Sequence, residues 1–177
     1  MSEDRRLAPF IRRLNMMISR GALEGTSDDG DIQTMQVALL ADETADDVER
    51  IQTYGLSTNP PAGGDALVAF VGGNRDHGVV LAVNDRGSRP KGLKSGEVVL
   101  YNDQDVRVSL TTDGDLKIAT KRHVEIEATE EITIKAKTLA IEVEEAVTII
   151  APDGVHIDGD LVVDGDIRAT GSITGAP

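Results

Sequence analysis

Residues 116–173 read Leu116-Lys-Ile118, Val124-Glu-Ile126, Ile132-Thr-Ile134, Leu139-Ala-Ile141 (with Val143), Val147-Thr-Ile149 and Val155-His-Ile157, then Leu161, Ile167 and Ile173. The pairs begin at 116, 124, 132, about 140, 147 and 155, an eight-residue period with one small slip. Within a pair the middle residue is usually polar. Between pairs lie runs such as Lys121-Arg122-His123, Thr129-Glu130-Glu131 and Glu144-Glu145. Alternation at period two marks a strand with one apolar face, so each unit is a short strand with two inward side chains, followed by a bend. After residue 154 the period shortens to six. Val155, Leu161, Ile167 and Ile173 are six apart, as are Gly159, Gly165 and Gly171, and Asp158-Gly-Asp160 returns as Asp164-Gly-Asp166. Glycine at a fixed offset implies a sharp corner, because it reaches positive φ cheaply. Shorter strands toward the C-terminus imply a taper.

Such a meander does not fold alone. A crossing offers about two aliphatic side chains, roughly 1.5–3 kcal/mol each on full burial, against about 1–2 kcal/mol per residue of backbone entropy. A lone ribbon also leaves its edges unpaired. A single-chain hexapeptide helix needs hexads throughout, and here most of the segment runs in octads. The pattern therefore predicts a homotrimer, a trimeric intertwined (triple-stranded) β-helix. Its expected dry core is Leu116, Ile118, Val124, Ile126, Ile132, Ile134, Ile141, Val147, Ile149, Val155, Ile157, Leu161, Ile167 and Ile173, with Gly159, Gly165 and Gly171 at the corners. The outward residues are charged: residues 101–177 carry 16 acids and 7 bases.

Upstream the pattern differs. Leu7, Phe10, Ile11, Leu14, Met17 and Ile18 fall on one face of a helix expected over 4–20, with Arg5, Arg6, Arg12, Arg13 and Arg20 on much of the rest. The helix either packs on its own domain or docks on an acidic partner or a neighbouring subunit. Strands are expected at Gln33–Leu40, Val48–Tyr54, Ala66–Val71, Gly78–Val83 and Glu97–Tyr101, separated by Asn59-Pro60-Pro61, Gly63-Gly64, Gly72-Gly73-Asn74 and Arg89-Pro90-Lys91-Gly92. Five short strands in this length suit a small OB-like barrel, with a hairpin across Val68–Val83. The reading is mainly β: an N-terminal amphipathic helix (1–21), an OB-like barrel (22–105) and a β-helical shaft (106–177).

Composition narrows the function. The 177 residues have 18 Lys+Arg against 31 Asp+Glu, a net charge of −13, the wrong sign for neutralising phosphates, so no specific nucleic-acid binding is expected. The lack of cysteine excludes disulfides, thiolate metal sites and cysteine nucleophiles. Aromatics make up 2% of the chain, so the core must be aliphatic. The longest apolar run, Ala66–Val71, is far short of a bilayer span. Two basic residues near the start, with no apolar stretch behind them, do not make a secretory signal.

Several blocks in order resemble a known family. They are Tyr54-Gly55-Leu56, Pro61-Ala62-Gly63-Gly64-Asp65-Ala66-Leu67-Val68, Gly72-Gly73-Asn74-Arg75-Asp76-His77, Asp85-Arg86, Arg89-Pro90-Lys91-Gly92-Leu93 and Gly96-Glu97-Val98-Val99-Leu100-Tyr101. Together they resemble the Mu-like phage baseplate spike proteins, the baseplate assembly protein V group. The resemblance implies an OB-like domain, a trimeric β-helix and a place in the virion's tail baseplate, made in the host cytoplasm. It implies partners among baseplate hub and tail-tube proteins, contact with the host outer membrane as the sheath drives the spike through it, and plugging of the tube beforehand. Leu7, Phe10, Ile11 and Leu14 then become a candidate hub-docking helix. Spikes of this group often close on a His-x-His pair per chain, six imidazoles around one iron. Here Asp158 stands two residues after His156, and Thr170–Pro177 has no histidine. No cofactor is therefore expected, and a separate tip protein is one way to close the apex.

Other candidate sites read as structure. His77 has no nucleophile motif beside it, His123 lies in a basic bend, and His156 is on the outward side of its strand. The Asp158/Asp160 and Asp164/Asp166 corners lack the full calcium repeat. Glu130-Glu131 and Glu144-Glu145 read as solvating charge on a face without a pocket. No phosphate loop is present. An enzyme is not expected. The competing readings are a hexapeptide-repeat acyltransferase, which needs hexads throughout and a loop histidine at a cofactor cleft, and a host-binding fibre tip, which needs an aromatic or loop-rich surface.

Overall fold

The computed structural model describes residues 3–40 and 43–174, with side chains from Leu7 onward. The end of the expected shaft, Gly175-Ala176-Pro177, and the side chains of Arg5 and Arg6 lie outside the described residues. The chain divides into two compact units, residues 1–126 and 127–177.

The first unit opens with α1 (Glu3–Asn15). The helix stops short of residue 20, because the segment from Ile18 is taken by a strand. β1 (Ile18–Ser27) pairs antiparallel with β4 (Asp65–Phe70), from Ile18 opposite Ala69 to Ala22 opposite Asp65. Phe70 N–H donates to the Met17 carbonyl at 2.7 Å just before it. Met17 and Ile18 fit the helical period by spacing alone, and sheet pairing overrides it.

β1, β2 (Thr34–Ala38), β3 (Thr44–Arg50), β5 (Gly78–Asn84) and β4 form a closed barrel in the order β1-β2-β3-β5-β4. The one parallel contact, β3 with β5, and the β1–β4 ladder complete the ring. The expected β4–β5 hairpin is present, turning through Val71–His77. The core is what alternation predicts: Met35 and Val37 of β2, and Ala66, Val68 and Phe70 of β4, are buried with Leu23, Val48 and Val80. The core is aliphatic apart from Phe70.

Two expectations about the barrel need correction. The strand expected at Val48–Tyr54 is Thr44–Arg50, its first half disguised by Asp46-Asp47, with Asp47 at a φ of 52°. The strand expected at Glu97–Tyr101 exists as β6 (Val98–Tyr101) but is not in the barrel. The fifth barrel strand is β1, hidden by its bulge between Leu23 and Gly25 and by its run of small and polar residues.

β6 pairs with β7 (Arg107–Leu110), and β7 with β8 (Leu116–Ala119), in a separate three-stranded antiparallel sheet. Among the described residues after Ala119 there is no helix or strand. The main-chain hydrogen bond found there is Gly154 N–H to the Ala151 carbonyl, at 2.9 Å. No helix among the described residues is long and apolar enough to cross a membrane.

Candidate functional site

Register decides what the β6–β7–β8 sheet presents. Val98 lies opposite Leu110, which lies opposite Leu116. Leu100 lies opposite Val108, which lies opposite Ile118. Residues directly opposite share a face, so one face is Val98, Leu100, Val108, Leu110, Leu116 and Ile118, all aliphatic. The other carries Val99, Tyr101, Arg107, Ser109, Lys117 and Ala119. Every member of the aliphatic face except Val108 is exposed in the single chain. The sheet joins Leu116 and Ile118 to residues that the sequence reading did not place in the repeat. The signal was available: Val108 and Leu110 lie eight residues before Leu116 and Ile118.

The same exposure continues through the second unit and its approach. Val124, Ile126, Ile132, Ile134, Ile141, Val147, Ile149, Val155, Ile157, Leu161, Ile167 and Ile173 are all more than half exposed. Gly159 and Gly165 have φ of 140° and 150°; Gly171 lies outside the left-handed region. In α1, Leu7, Phe10, Ile11 and Leu14 are exposed too. An apolar surface this extensive and periodic marks an interaction site rather than ordinary scatter.

Several charged side chains of the first unit brace its own strands and loops. The Arg75 guanidinium lies 4.0 Å from the centre of the Phe70 ring. Its Nε donates to Glu43 Oε1 at 2.9 Å, and its Nη1 to Ser19 Oγ at 2.8 Å. Arg75 holds the Glu43 carboxyl below the usual carboxylate range, chiefly by hydrogen bonding. Asp65 accepts from Arg86 Nε at 2.5 Å and Arg20 Nη2 at 3.3 Å, and its carboxyl is held low mainly by Arg86. Asp85 accepts from the Ser88 hydroxyl and from the Gly87 and Ser88 amides, which lower it in that order of hydroxyl then amides. Asp105, between Lys121 at 2.6 Å and Arg107 at 3.2 Å, is lowered chiefly by Lys121. Each of these is a carboxylate committed to a loop, not an acid–base pair facing a nucleophile.

The histidines and acid pairs stay apart. His77 is exposed in the β4–β5 turn, His123 in the bend after β8, and His156 between Val155 and Ile157. Among the described residues no group of three metal-ligating side chains is gathered. The donors do not fit a six-imidazole iron site, because His156 has Asp158 where the second histidine would stand.

Comparison with known proteins agrees with this geometry. The family described as Bacteriophage Mu Gp45, N-terminal, matches residues 20–87, the span of the barrel. The baseplate puncturing device gp45 of Escherichia phage Mu is 40% identical over 131 residues, covering 74% of this chain and 66% of that protein. The chain belongs to the Mu gp45 family. The Mu-like prophage FluMu protein gp45 of Haemophilus influenzae is 39% identical over 119 residues, 67% of this chain and 65% of that protein. The chain thus spans just under two thirds of the length of these Mu gp45 relatives. A match of 131 residues is too long to be confined to the barrel and reaches into the aliphatic repeat. The Mu gp45 family is one of structural baseplate proteins, not of enzymes, and the acyltransferase alternative falls with that.

Proposed function

We propose that this chain is the central spike of a contractile phage tail baseplate. Three copies join around a threefold axis, the barrel attaches the trimer to the baseplate hub, and the repeat forms the shaft. When the sheath contracts, the shaft is driven through the host outer membrane; before that, the trimer closes the end of the tail tube.

The observation that carries this reading is the uncovered aliphatic face of β6–β8 and its continuation as exposed pairs with almost no main-chain hydrogen bonding within the chain. Buried backbone groups need partners, and so does an apolar stripe of this length. Other copies of the same chain meet both demands at once. Three β6–β8 sheets turn their aliphatic faces to one axis. Further along, each short strand takes its hydrogen bonds from its neighbours' strands. The barrel, with its β1-β2-β3-β5-β4 order, is read as an OB-like domain. Arg75, Asp65 and Asp85 brace its own strands and loops, which leaves it a rigid mount.

The mechanism is mechanical. A shaft of strands crossing the axis, each hydrogen-bonded to the next around a dry core, cannot shear without breaking bonds and exposing aliphatic surface together. Outside, the net charge of −9 over residues 101–177 (16 acids, 7 bases) keeps the shaft soluble. The named Mu relative, a baseplate puncturing device, supports the piercing role.

The test uses tail particles assembled with the natural chain or with Ile134→Asp. Axial baseplate density and outer-membrane permeabilisation are expected with the first and lost with the second. Full permeabilisation by particles lacking the chain would refute the role.

A further inference from the structure

Helix α1 makes little use of its own barrel. Residues 7–15 are all exposed, and the helix meets the barrel through its last turn at Gly73. There a side chain could not fit: a Cβ on Gly73, at φ 72°, would stand 2.5 Å from the Arg13 carbonyl oxygen. A helix of 13 residues with Pro9 inside it is marginal without a partner for its apolar face. That face is Leu7, Phe10, Ile11 and Leu14, and Arg12 and Arg13 are exposed beside it.

The loop between β3 and β4 presents the complementary chemistry on an ordered frame. Arg50 Nη1 donates to the Thr58 carbonyl at 2.6 Å and its Nη2 to Thr58 Oγ1 at 2.7 Å. Gln52 Oε1 accepts from the Thr58 amide at 2.7 Å. Buried Gln33 accepts from Arg50 Nη1 at 2.7 Å, and its Nε2 donates to Asp28 Oδ1 at 2.7 Å and to the Thr58 carbonyl at 3.2 Å. This network ties the loop to the acidic turn Asp28-Asp29-Gly30-Asp31. At the tip, Leu56 N–H donates to the Thr53 carbonyl at 3.0 Å across a tight turn with Gly55 at φ 85°. Tyr54 projects from it, fully exposed, with Leu56 half exposed. An aromatic held out on a frame already ordered loses little entropy on binding, and tyrosine is among the residues on which binding energy concentrates.

We propose that α1 of one copy docks on the Tyr54 loop of a neighbouring copy, with Leu7, Phe10, Ile11 and Leu14 against Tyr54 and Leu56, and Arg12 and Arg13 facing Asp29 and Asp31. The inference rests on the trimer reading. Charge and apolar surface match between the two elements, and the chain as a whole is acidic outside α1. Docking within one copy is not seen: α1 is pinned at Gly73 through Arg13, and both Tyr54 and the helix's apolar side chains stay exposed. The exposure of residues 7–15 shows that the helix does not fold back along its own barrel. The docked helix would clasp adjacent barrels while the aliphatic repeat closes the axis.

The chain has no cysteine, so engineered ones report cleanly. Full-length Phe10→Cys and Tyr54→Cys chains, both altered at exposed positions and carrying different tags, are co-expressed, oxidised and sized. A mixed Phe10→Cys/Tyr54→Cys disulfide is expected at roughly tenfold or more the yield of either like pair. Adding Arg12→Glu with Arg13→Glu should cut that yield severalfold, and Asp29→Lys with Asp31→Lys on the other chain should restore it. A trimer by sedimentation with no excess of the mixed pair overturns the clasp alone, as does a helix that cross-links only to a baseplate partner. A monomer by sedimentation overturns the trimer reading and the clasp with it.

Discussion

Replacing Ile134 by alanine separates a buried trimer axis from an exposed ribbon by the size of the effect. In the single chain Ile134 is 69% exposed, and a substitution at such a position changes stability by no more than about 0.5 kcal/mol. On the axis of a trimer the same change removes a buried side chain from each of three copies at one level. Isoleucine to alanine in a packed core costs about 2–5 kcal/mol, so the trimer should lose about 6–15 kcal/mol. Thr133 is the register control. Period-two alternation puts it on the side opposite Ile134, and its Oγ1 donates to Glu131 Oε1 at 2.7 Å, so Thr133→Ala should stay within about 0.5 kcal/mol of the natural protein. Ile134→Asp goes further and buries three carboxylates without partners, which should prevent assembly. The assay is thermal unfolding followed by circular dichroism, with sedimentation of the same samples. Natural unfolding of Ile134→Ala beside a destabilised Thr133→Ala would show the inward and outward registers reversed. Natural behaviour of both would show that the pairs face water.

The remaining predictions concern the barrel and the histidines. Arg75→Ala, which removes the stack on Phe70 and the pair with Glu43 at a side chain only 24% exposed, should destabilise the first unit by about 1–3 kcal/mol, and Arg75→Lys should recover part of this in chemical denaturation. Glu43, Asp65, Asp85 and Asp105 all have carboxyls lowered in the folded chain, so their contribution is present above the ordinary carboxylate range near 4 and lost as pH falls through the lower folded values. Denaturation midpoints should accordingly fall on acidification below about pH 4, and a midpoint unchanged down to pH 2 would contradict the assigned pairs. Elemental analysis should find no iron in proportion to the trimer, whereas one iron per three chains would mean that His156 is used in a way its neighbours do not suggest.

Much of the barrel was legible because its core obeys strict alternation. Met35 and Val37, then Ala66, Val68 and Phe70, announce their strands and their inward face, and Gly72-Gly73-Asn74 announces the turn between β4 and β5. The missed strand was β1. Its outward Ile18 continued a helical stripe from Leu14 and Met17, and only the partner ladder from Ile18 to Ala22 along β4 reveals it. β3 was misplaced because Asp46 and Asp47 broke its apolar pattern. The repeat was legible at short range as aliphatic pairs. Its beginning was not, because Val108 and Leu110 read as one more short strand until pairing with Leu116 and Ile118 put them on a common face. The Arg50–Gln33–Thr58 frame was invisible, since residues 33, 50 and 58 meet only after the barrel closes.

The central claim is that the aliphatic pairs are dry only when three chains share them. Sedimentation equilibrium of the full chain, at micromolar concentration and moderate salt, tests this directly. Three chains of 18.8 kDa give a single species of about 56 kDa, which is the expected result. A species at the mass of one chain, persisting as concentration rises, would contradict it.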